Sequence, residues 1–351
     1  MASEREVTSA VDLCDAGGRL NPAARGWARH PMLRANLRRA WGRKKRWDYW
    51  AVITDEIVVS FVYADVDYAG LASVWVMEHA TGRQAAAAML QPFGRGFSLP
   101  EQVCTGSVSL RHKVLSLSIT EDAAGTRLVG SAPSSNGAAS MEGAIDIDIT
   151  VAKPAGHESL NVLIPWSERR FQFTSKQNTR PATGTVRVGA LSWTVSADHD
   201  AWGVQDLGRG IWPYSNRWNW ASASGHATDG RLVGLQFGGK WTVGTGATEN
   251  ALCIDGRLTK IGSELEWSYS WDQPMRPWRV RTAGPQRAGE PFVDLTLTPS
   301  FDRYDITDVK LLKMEVHQCF GTWSGRIIGA DGVPAELAGL RGFAEEARNR
   351  W

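Results

Sequence analysis

Hydrophobic and polar residues alternate along much of the chain with the two-residue period of β-strands. The clearest example is the segment 144–152, where Asp146, Asp148 and Thr150 share one face. The opposite face is aliphatic and consists of Ile145, Ile147, Ile149 and Val151. This pattern predicts a half-buried strand whose polar face meets solvent or a lumen.

Further short strands follow along the chain. Segments 185–188 and 191–195 flank Gly189-Ala190 and predict a tight hairpin, and 50–63 predicts two strands around Asp55-Glu56. A loop is predicted at 130–143, which is rich in Ser, Ala and Gly. Other predicted strands are 71–79, 108–119, 232–237, 241–243, 252–254, 265–271, 292–297, 309–317 and 322–328.

Two segments carry the period of a helix instead. Leu33, Leu37 and Trp41 recur every four residues, which predicts an amphipathic helix at about 31–41. A second helix is predicted near the C-terminus at 343–348.

The number of predicted strands exceeds what one small ligand-holding barrel of about eight strands requires. We therefore expect a mainly β fold of two antiparallel barrel or sandwich domains, with short N- and C-terminal helices. The polar segment 177–184 suggests the boundary. The predicted division is an N-terminal arm and helix at 1–48, a first β domain at 49–180 and a second at 181–351.

Composition supports this fold class and restricts the function. The chain has 351 residues, of which 36 are Gly and 17 are Trp, and such Gly-rich, aromatic sequences suit sheets. Lys and Arg number 39 against 37 Asp and Glu, which excludes nucleic-acid binding by global charge. No apolar run is long enough for a membrane-spanning helix, and residues 1–6 lack the apolar core of a signal peptide. The four scattered cysteines predict reduced thiols and a cytoplasmic location.

A basic segment stands out near the N-terminus, where residues 25–46 contain nine Arg or Lys. Such a segment most often forms a solvated face, and the sharper alternative is contact with an anionic membrane surface. The residues available for that peripheral contact are Arg34, Arg38, Arg39, Arg43, Lys44 and Lys45.

Candidate chemistry concentrates around Asp206. Four tryptophans occur in the nineteen residues 202–220, and an acid among indoles can become a proton donor because desolvation raises a carboxyl pKa. Arg209 allows the alternative of a buried structural pair with Asp206. The glycine-rich segment 234–251 lacks the ending of a phosphate-binding loop and predicts tight turns. Histidine spacing indicates no metal, and no nucleophile motif is present.

We expect these groups to form one polar and aromatic cluster at the end of a barrel, because buried charges must be paired. Asp206 is the candidate catalytic residue. The candidate substrate-binding residues are Glu168, Lys176, Asn178, Arg209, Tyr214, Trp218, Trp220 and Glu249.

Long strings spread over nearly the whole chain resemble the family known as domain of unknown function 2804. They include Gly18-Arg19-Leu20-Asn21-Pro22, Lys45-Arg46-Trp47-Asp48-Tyr49-Trp50, His157-Glu158-Ser159-Leu160-Asn161, Phe173-Thr174-Ser175-Lys176-Gln177-Asn178, Asp206-Leu207-Gly208-Arg209-Gly210, Trp218-Asn219-Trp220-Ala221 and Phe343-Ala344-Glu345-Glu346-Ala347.

A more distant resemblance concerns the middle of the chain. Gly184-Thr185-Val186-Arg187-Val188, then Asp206, then Trp218-Asn219-Trp220, is similar to carotenoid 1,2-hydratases and tocopherol-cyclase-like proteins of lipocalin fold. The resemblance implies lipocalin-like β domains and places Asp206 at an acid in an apolar cavity. Two positions depart from the family pattern, since Leu207-Gly208-Arg209 follows the acid and Asn219 replaces an aspartate.

These observations leave three functions open. One is a cofactor-free hydratase, cyclase or isomerase, in which Asp206 protonates a lipid- or isoprenoid-like substrate and Trp202, Trp212, Trp218 and Trp220 stabilise the cation. The second is a non-catalytic binder of a small hydrophobic molecule in a Trp-lined cavity. The third is a sugar-binding β module, which would need several exposed indoles. No cofactor is expected in any of them.

Overall fold

The described residues of the computed structural model, which are 4–136, 140–309 and 312–351, form a mainly β structure. Helical structure within them is limited to two 3-10 turns, Pro22–Ala24 and Ala197–His199. The strands up to residue 152 are β1 (Val11–Asp12), β2 (Trp27–Ala28), β3 (Leu33–Arg34), β4 (Lys44–Ile53), β5 (Ile57–Asp65), β6 (Ala69–Glu78), β7 (Gln84–Pro92), β8 (Ser107–Arg111), β9 (Ser116–Glu121), β10 (Gly125–Ala132) and β11 (Ile145–Ala152). The later strands are β12 (Leu160–Ser167), β13 (Arg170–Val188), β14 (Leu191–Val195), β15 (Trp202–Ile211), β16 (Ser215–His226), β17 (Leu232–Gly239), β18 (Asn250–Ile254), β19 (Arg257–Ile261), β20 (Leu265–Ser268), β21 (Trp278–Thr282), β22 (Phe292–Val309), β23 (Leu312–Ile328) and β24 (Pro334–Arg350).

Most strands belong to two large antiparallel sheets, each curled like half a barrel. The first sheet has the order β7-β6-β5-β4-β15-β13-β11-β10-β9-β8, with β12 and β14 also paired to β13. The second has the order β19-β18-β17-β16-β24-β23-β22-β21-β20. The mainly β prediction is therefore confirmed.

The long strand β13 holds the first sheet together. Its first half pairs with β12 and β15, and its second half pairs with β11 and β14. The register shifts between Gln177 and Arg180, where Thr179 has a φ of 53°. This irregularity turns the strand between its two sets of partners.

Alternation divides the side chains of each sheet between its own interior and the contact between the sheets. Ile145, Ile147 and Ile149 pack inside the first sheet, as their period predicts. Trp220, Phe320 and Phe343 of the second sheet instead pack against the back of the first sheet. They contact Ala51, Ile53 and Val204 there.

Both predicted helices are wrong. Leu33 lies in β3, which pairs in parallel with β1, while Arg39 and Ala40 have positive φ values of 59° and 51° that no α-helix contains. Residues 343–348 belong to β24, which is bonded on both sides, to β16 and β23. A central position in the sheet therefore overrides the helix propensity of this segment.

Most of the short strands occur where the sequence predicts them. The hairpin of β13 and β14 pairs Val188 with Leu191 around Gly189-Ala190, and β4 and β5 flank residues 55–56. Segment 241–243 is a turn instead of a strand. The predicted domain boundary near residue 180 falls within β13, and the chain passes from the first sheet to the second at 212–214. The division into domains stays a prediction.

Within the described residues, no helix has the length and apolar character needed to cross a membrane. The four cysteines are free thiols. In the basic segment, Lys45 is buried with its Nζ 4.2 Å from the Tyr68 ring centroid, and Arg34 forms a two-pronged pair with Asp12 (2.6 and 2.7 Å). Arg38 and Arg39 are exposed on a loop that replaces the expected helix.

Candidate functional site

A row of polar side chains crosses three adjacent strands of the first sheet. Lys176 on β13 is the register partner of Asp206 on β15, which is the partner of Tyr49 on β4. Directly paired residues of antiparallel strands point to the same face. All three side chains therefore reach the contact between the two sheets.

A second row faces the first across that contact. Trp220 on β16 pairs with Glu345 on β24, Glu345 pairs with Gln318 on β23, and Gln318 pairs with Arg303 on β22. Together with Glu249 and the two first-sheet residues Trp47 and Thr174, these rows form the inter-sheet cluster. Its members are Trp47, Tyr49, Thr174, Lys176, Asp206, Trp220, Glu249, Arg303, Gln318 and Glu345.

Lys176 is the central cation of this cluster. Its Nζ lies 3.0 Å from Asp206 Oδ2 and 3.3 Å from Glu249 Oε1. The same nitrogen lies 4.1 Å from the ring centroid of Trp220, a cation–π contact. Burial by itself would lower the pKa of Lys176, but the carboxylates of Asp206 and Glu249 raise it above its usual value. Lys176 is therefore charged.

Asp206 is surrounded by donors. Trp47 Nε1 donates to its Oδ2 (3.1 Å) and Thr174 Oγ1 donates to its Oδ1 (3.1 Å), in addition to the ion pair with Lys176. Gly208 makes room for this arrangement, since a Cβ there would lie 2.2 Å from the Trp47 ring. These three donors, which come from β4 and β13, fix the position of the Asp206 carboxyl group.

Glu249 enters the cluster from the loop that precedes β18. A Cβ at Gly238, the register partner of Trp220, would lie 2.2 Å from Glu249 Oε2, so the glutamate occupies the side-chain space that this glycine leaves empty. Burial raises the pKa of Glu249 to about 7, although Lys176 opposes the shift.

Glu345 accepts hydrogen bonds from two neutral donors. Trp218 Nε1 donates to its Oε1 (2.8 Å) and Gln318 Nε2 donates to its Oε2 (3.0 Å). Burial raises the pKa of Glu345 to about 7. The next residue, Glu346, points to the opposite face of β24, where its Oε1 pairs with Lys240 (2.9 Å) and Arg348 (2.8 Å).

The cluster thus holds three carboxyl groups against the two cations Lys176 and Arg303. A buried excess of acid is accommodated by protonation, and two of the three carboxyls have a pKa near neutrality. Buried acids with raised pKa values are typical of acid–base sites.

An indole cluster adjoins these acids. Trp212 lies at its centre, and its ring centroid is 4.9–5.7 Å from those of five other tryptophans. These five are Trp47, Trp166, Trp218, Trp241 and Trp351. Trp47 belongs to both groups and donates its N–H to Asp206, whereas Trp218 contacts the inter-sheet cluster by donating its N–H to Glu345. Indole rings therefore lie directly against Asp206 and Glu345.

The family of the chain follows from a comparison with family models. The model described as "Domain of unknown function (DUF2804)" matches residues 4–351. The chain belongs to the DUF2804 family.

Solved structures with a similar fold accompany this DUF2804 match, whereas no curated protein matches the chain. CghA superimposes with a TM-score of 0.52 at 13% identity, over 88% of each chain. Kievitone hydratase from Nectria haematococca gives a TM-score of 0.49 at 10% identity, over 87% of this chain and 88% of its own. The similarity to CghA shows a shared fold.

The DUF2804 structure brings together five of the nine residues that the sequence nominates. Asp206, Trp220 and Glu249 each contact Lys176, and Trp218 lies close by through its hydrogen bond to Glu345. They meet at the contact between the two sheets and not at the end of a barrel, which is the location that the sequence predicts.

The other four nominated residues lie elsewhere. Arg209 points away from Asp206 and pairs with Asp48 at 2.7 Å. Glu168 is 68% exposed and lies 3.6 Å from Arg19. Tyr214 is 41% exposed, with the Arg43 guanidinium 5.3 Å from its ring, and Asn178 Nδ2 donates to the carbonyl of Leu235 (2.9 Å). Trp202 also lies outside the cluster, 5.8 Å from the His226 ring.

Arg209 and Asp48 instead line a small cavity on the interior side of the first sheet. Its volume is about 10 Å³, room for about one water molecule. Gln102, Cys104, Thr105 and Glu121 also contribute to its polar lining.

Among the described residues, one group has the donor atoms for a metal ion, namely Asp55, Glu56 and His199. The two acids are exposed, and His199 Nδ1 lies 3.1 Å from Asp55 Oδ1. This contact is an exposed hydrogen bond between the imidazole and the carboxyl group, and the absence of a metal stays a prediction.

Sequence reasoning missed Glu345, Gln318, Trp47 and Thr174. Glu345 was hidden because its segment carries the propensity of a helix, although Phe343, Glu345 and Ala347 share one face of the actual strand. Gln318 and Thr174 carry no signal of their own, since their roles come from register across strands far apart in sequence.

The raised pKa values predict an unusual pH dependence of stability. Glu249 and Glu345 bind their protons more tightly in the folded state than in the unfolded state. Their contribution to the free energy of unfolding is therefore complete below pH about 4.5 and is lost as pH rises through about 7. We expect the free energy of unfolding, measured by urea denaturation, to fall by on the order of 5 kcal/mol more between pH about 5 and about 8 in the wild type than in Glu249→Gln/Glu345→Gln.

The exposed Glu336 provides the control for this measurement. Glu336→Gln should retain the wild-type pH dependence. Identical pH profiles for the wild type and the double variant would show that both acids titrate normally in the folded state.

Proposed function

We propose that the inter-sheet cluster binds a small hydrophobic, lipid- or isoprenoid-like molecule and performs cofactor-free acid–base chemistry on an alkene, as a hydratase, cyclase or isomerase. The observation that carries this proposal is the excess of buried carboxyl groups, two with a pKa of about 7, beside indoles. The resemblance of the region around Asp206 to carotenoid hydratases supports the same class of reaction.

Glu345 is the better proton donor of the two acids with a raised pKa. Its oxygens are bonded to the neutral N–H groups of Trp218 and Gln318, whereas Glu249 lies 3.3 Å from the Lys176 cation, which favours its ionised form. Glu345 would transfer its proton to one alkene carbon, leaving a cation on the other.

Asp206 takes the complementary part. Its carboxyl group accepts hydrogen bonds from Trp47 and Thr174 and pairs with the Lys176 ammonium group, so it is placed to stabilise the cation and to accept a proton. In a hydration, water would add to the cationic carbon while Asp206 accepts the proton that the water loses. In an isomerisation, Asp206 would remove a proton from the neighbouring carbon. The rings of Trp218 and Trp220 would stabilise the cation by about 2 kcal/mol when desolvated.

Non-catalytic binding of the same class of ligand is the alternative. The sugar-binding alternative loses support because Trp212 and Trp220 are buried, and Trp202 and Trp218 are half-buried. These four indoles therefore do not form the exposed aromatic surfaces on which sugars stack.

The test begins with native mass spectrometry of the protein purified from its host, which should reveal a co-purifying apolar molecule. That molecule is then incubated with the protein in deuterated water. An enzyme should incorporate deuterium at carbon, and Glu345→Gln should slow this incorporation at least about a hundredfold.

Glu336→Gln, on an exposed surface, serves as the matched control and should leave the rate unchanged. Binding without deuterium incorporation would establish the non-catalytic alternative. A wild-type rate in Glu345→Gln would rule out its role as proton donor.

A further inference from the structure

Two loops meet at one end of the first sheet. Loop 38–43 is bonded to the turn between β5 and β6, where Gly42 N donates to Asp67 Oδ2 (2.6 Å). Loop 92–96 is bonded to the same turn, where Phe93 N donates to the carbonyl of Tyr68 (2.8 Å). The tips of both loops therefore belong to one continuous surface.

Large aromatic rings are exposed on this surface. Trp41 is 68% exposed and Phe93 is 64% exposed, in a chain whose other aromatic residues are largely buried. Arg39, Ala40 and Phe93 have positive φ values, which fix these loop tips as tight turns. Exposed aromatic rings on shaped turns indicate a contact surface.

Unpaired positive charge surrounds the rings. Arg38, Arg39 and Arg95 are exposed beside Trp41 and Phe93. We name the five residues Arg38, Arg39, Trp41, Phe93 and Arg95 the rim patch. Its net charge is positive, and the neighbouring acids do not neutralise it because each of them forms an ion pair with a residue outside the patch.

The acids next to the rim patch each have a partner outside it. Asp65 pairs with Arg46 at 2.5 Å, and Asp67 lies 3.4 Å from Lys44. Asp12, whose carboxyl group also senses the charge of Arg38, pairs with Arg34 at 2.6 Å.

We propose that the rim patch binds the surface of an anionic phospholipid bilayer. Indole and phenyl rings favour the headgroup level of a bilayer, and arginines beside them bind lipid phosphates. The combination of protruding aromatic rings with unpaired arginines matches this partner in both polarity and charge. The rim patch differs from the membrane-contact surface that the sequence of segment 25–46 suggests, because Lys45 is buried and Arg34 is paired with Asp12.

This inference does not rest on the proposed function, although the two are compatible. Strand β4 begins at Lys44 beside the rim patch and carries Trp47 and Tyr49 of the inter-sheet cluster. A membrane-bound orientation would bring an apolar ligand to the end of the strand that leads to the cluster.

Vesicle co-sedimentation of the full chain tests the proposal. We expect binding to phosphatidylcholine vesicles that contain about one third phosphatidylserine, little binding to phosphatidylcholine alone, and weakening as salt is raised. Arg38→Glu/Arg39→Glu should reduce the partition coefficient at least about tenfold. Trp41→Ser/Phe93→Ser should reduce it by roughly tenfold as well.

The charge-matched control is Arg111→Glu/Arg187→Glu, at exposed positions on β8 and β13. It should bind like the wild type. Equal losses in both arginine variants would overturn the proposal, because they would indicate non-specific attraction. Failure of the wild type to bind anionic vesicles, or a dimer in sedimentation velocity that Trp41→Ser/Phe93→Ser abolishes, would overturn it too.

Discussion

Lys176→Met is expected to lower the free energy of unfolding by about 3–5 kcal/mol at neutral pH, as removal of one partner of a buried ion pair does. The lysine Nζ is the cation that lies between Asp206 and Glu249, and its loss leaves two carboxyl groups facing each other in a buried space. The variant also loses the cation–π contact with Trp220.

Urea denaturation of a small variant series measures this effect. Lys176→Met/Asp206→Asn/Glu249→Gln should recover much of the loss, because it removes the unpaired charges together with the lysine. The penalty of the single variant should shrink as pH falls and Glu249, whose pKa is raised by burial, becomes protonated. The exposed Lys153→Met is the control and should change stability by no more than about 0.5 kcal/mol. A loss below about 1 kcal/mol for Lys176→Met would contradict the central role of this ion pair.

The second large effect distinguishes Asp206, the partner that the sequence suggests for Arg209, from Asp48, its partner in the structure. Arg209→Met should also cost about 3–5 kcal/mol, because the buried guanidinium pairs with Asp48 at 2.7 Å and donates to the carbonyl of Trp47 (2.7 Å). Double-mutant cycles then distinguish Asp48 from Asp206 as its partner.

We expect a coupling energy of about 2 kcal/mol between Arg209→Met and Asp48→Asn, and a value within about 0.5 kcal/mol of zero with Asp206→Asn. The physical reason is that Asp206 and Arg209 project from opposite faces of β15. A strong coupling between Arg209 and Asp206 would contradict the Arg209–Asp48 pair and would support the Asp206–Arg209 pair that the sequence suggests.

Local patterns were sufficient for much of the fold. The alternation of Ile145, Ile147 and Ile149 predicts β11 because a half-buried strand needs nothing beyond its own sequence. Helix propensity failed at Phe343–Arg348 because β24 is bonded to neighbours on both sides, and those bonds are decided by distant parts of the chain.

The site was predictable only as far as it depends on residue type. Acids and lysines next to tryptophans indicate buried pairs, and Lys176, Asp206 and Glu249 do meet. The sequence could not show that Asp206 pairs with Lys176 and Arg209 with Asp48, because that choice depends on the face of β15 to which each points. The irregularity between Gln177 and Arg180 also sets the register, and it leaves little trace in the residues themselves.

The adjacent acids Glu345 and Glu346 determine how this chain tolerates changes in length. They serve opposite faces of β24, one in the inter-sheet cluster and the other in the pairs with Lys240 and Arg348. Loss or gain of one residue just before them would exchange the two faces, placing each acid among the other's partners. Strand β24 therefore tolerates insertions and deletions only at its ends. The exposed turn at 284–290, in contrast, can change length freely.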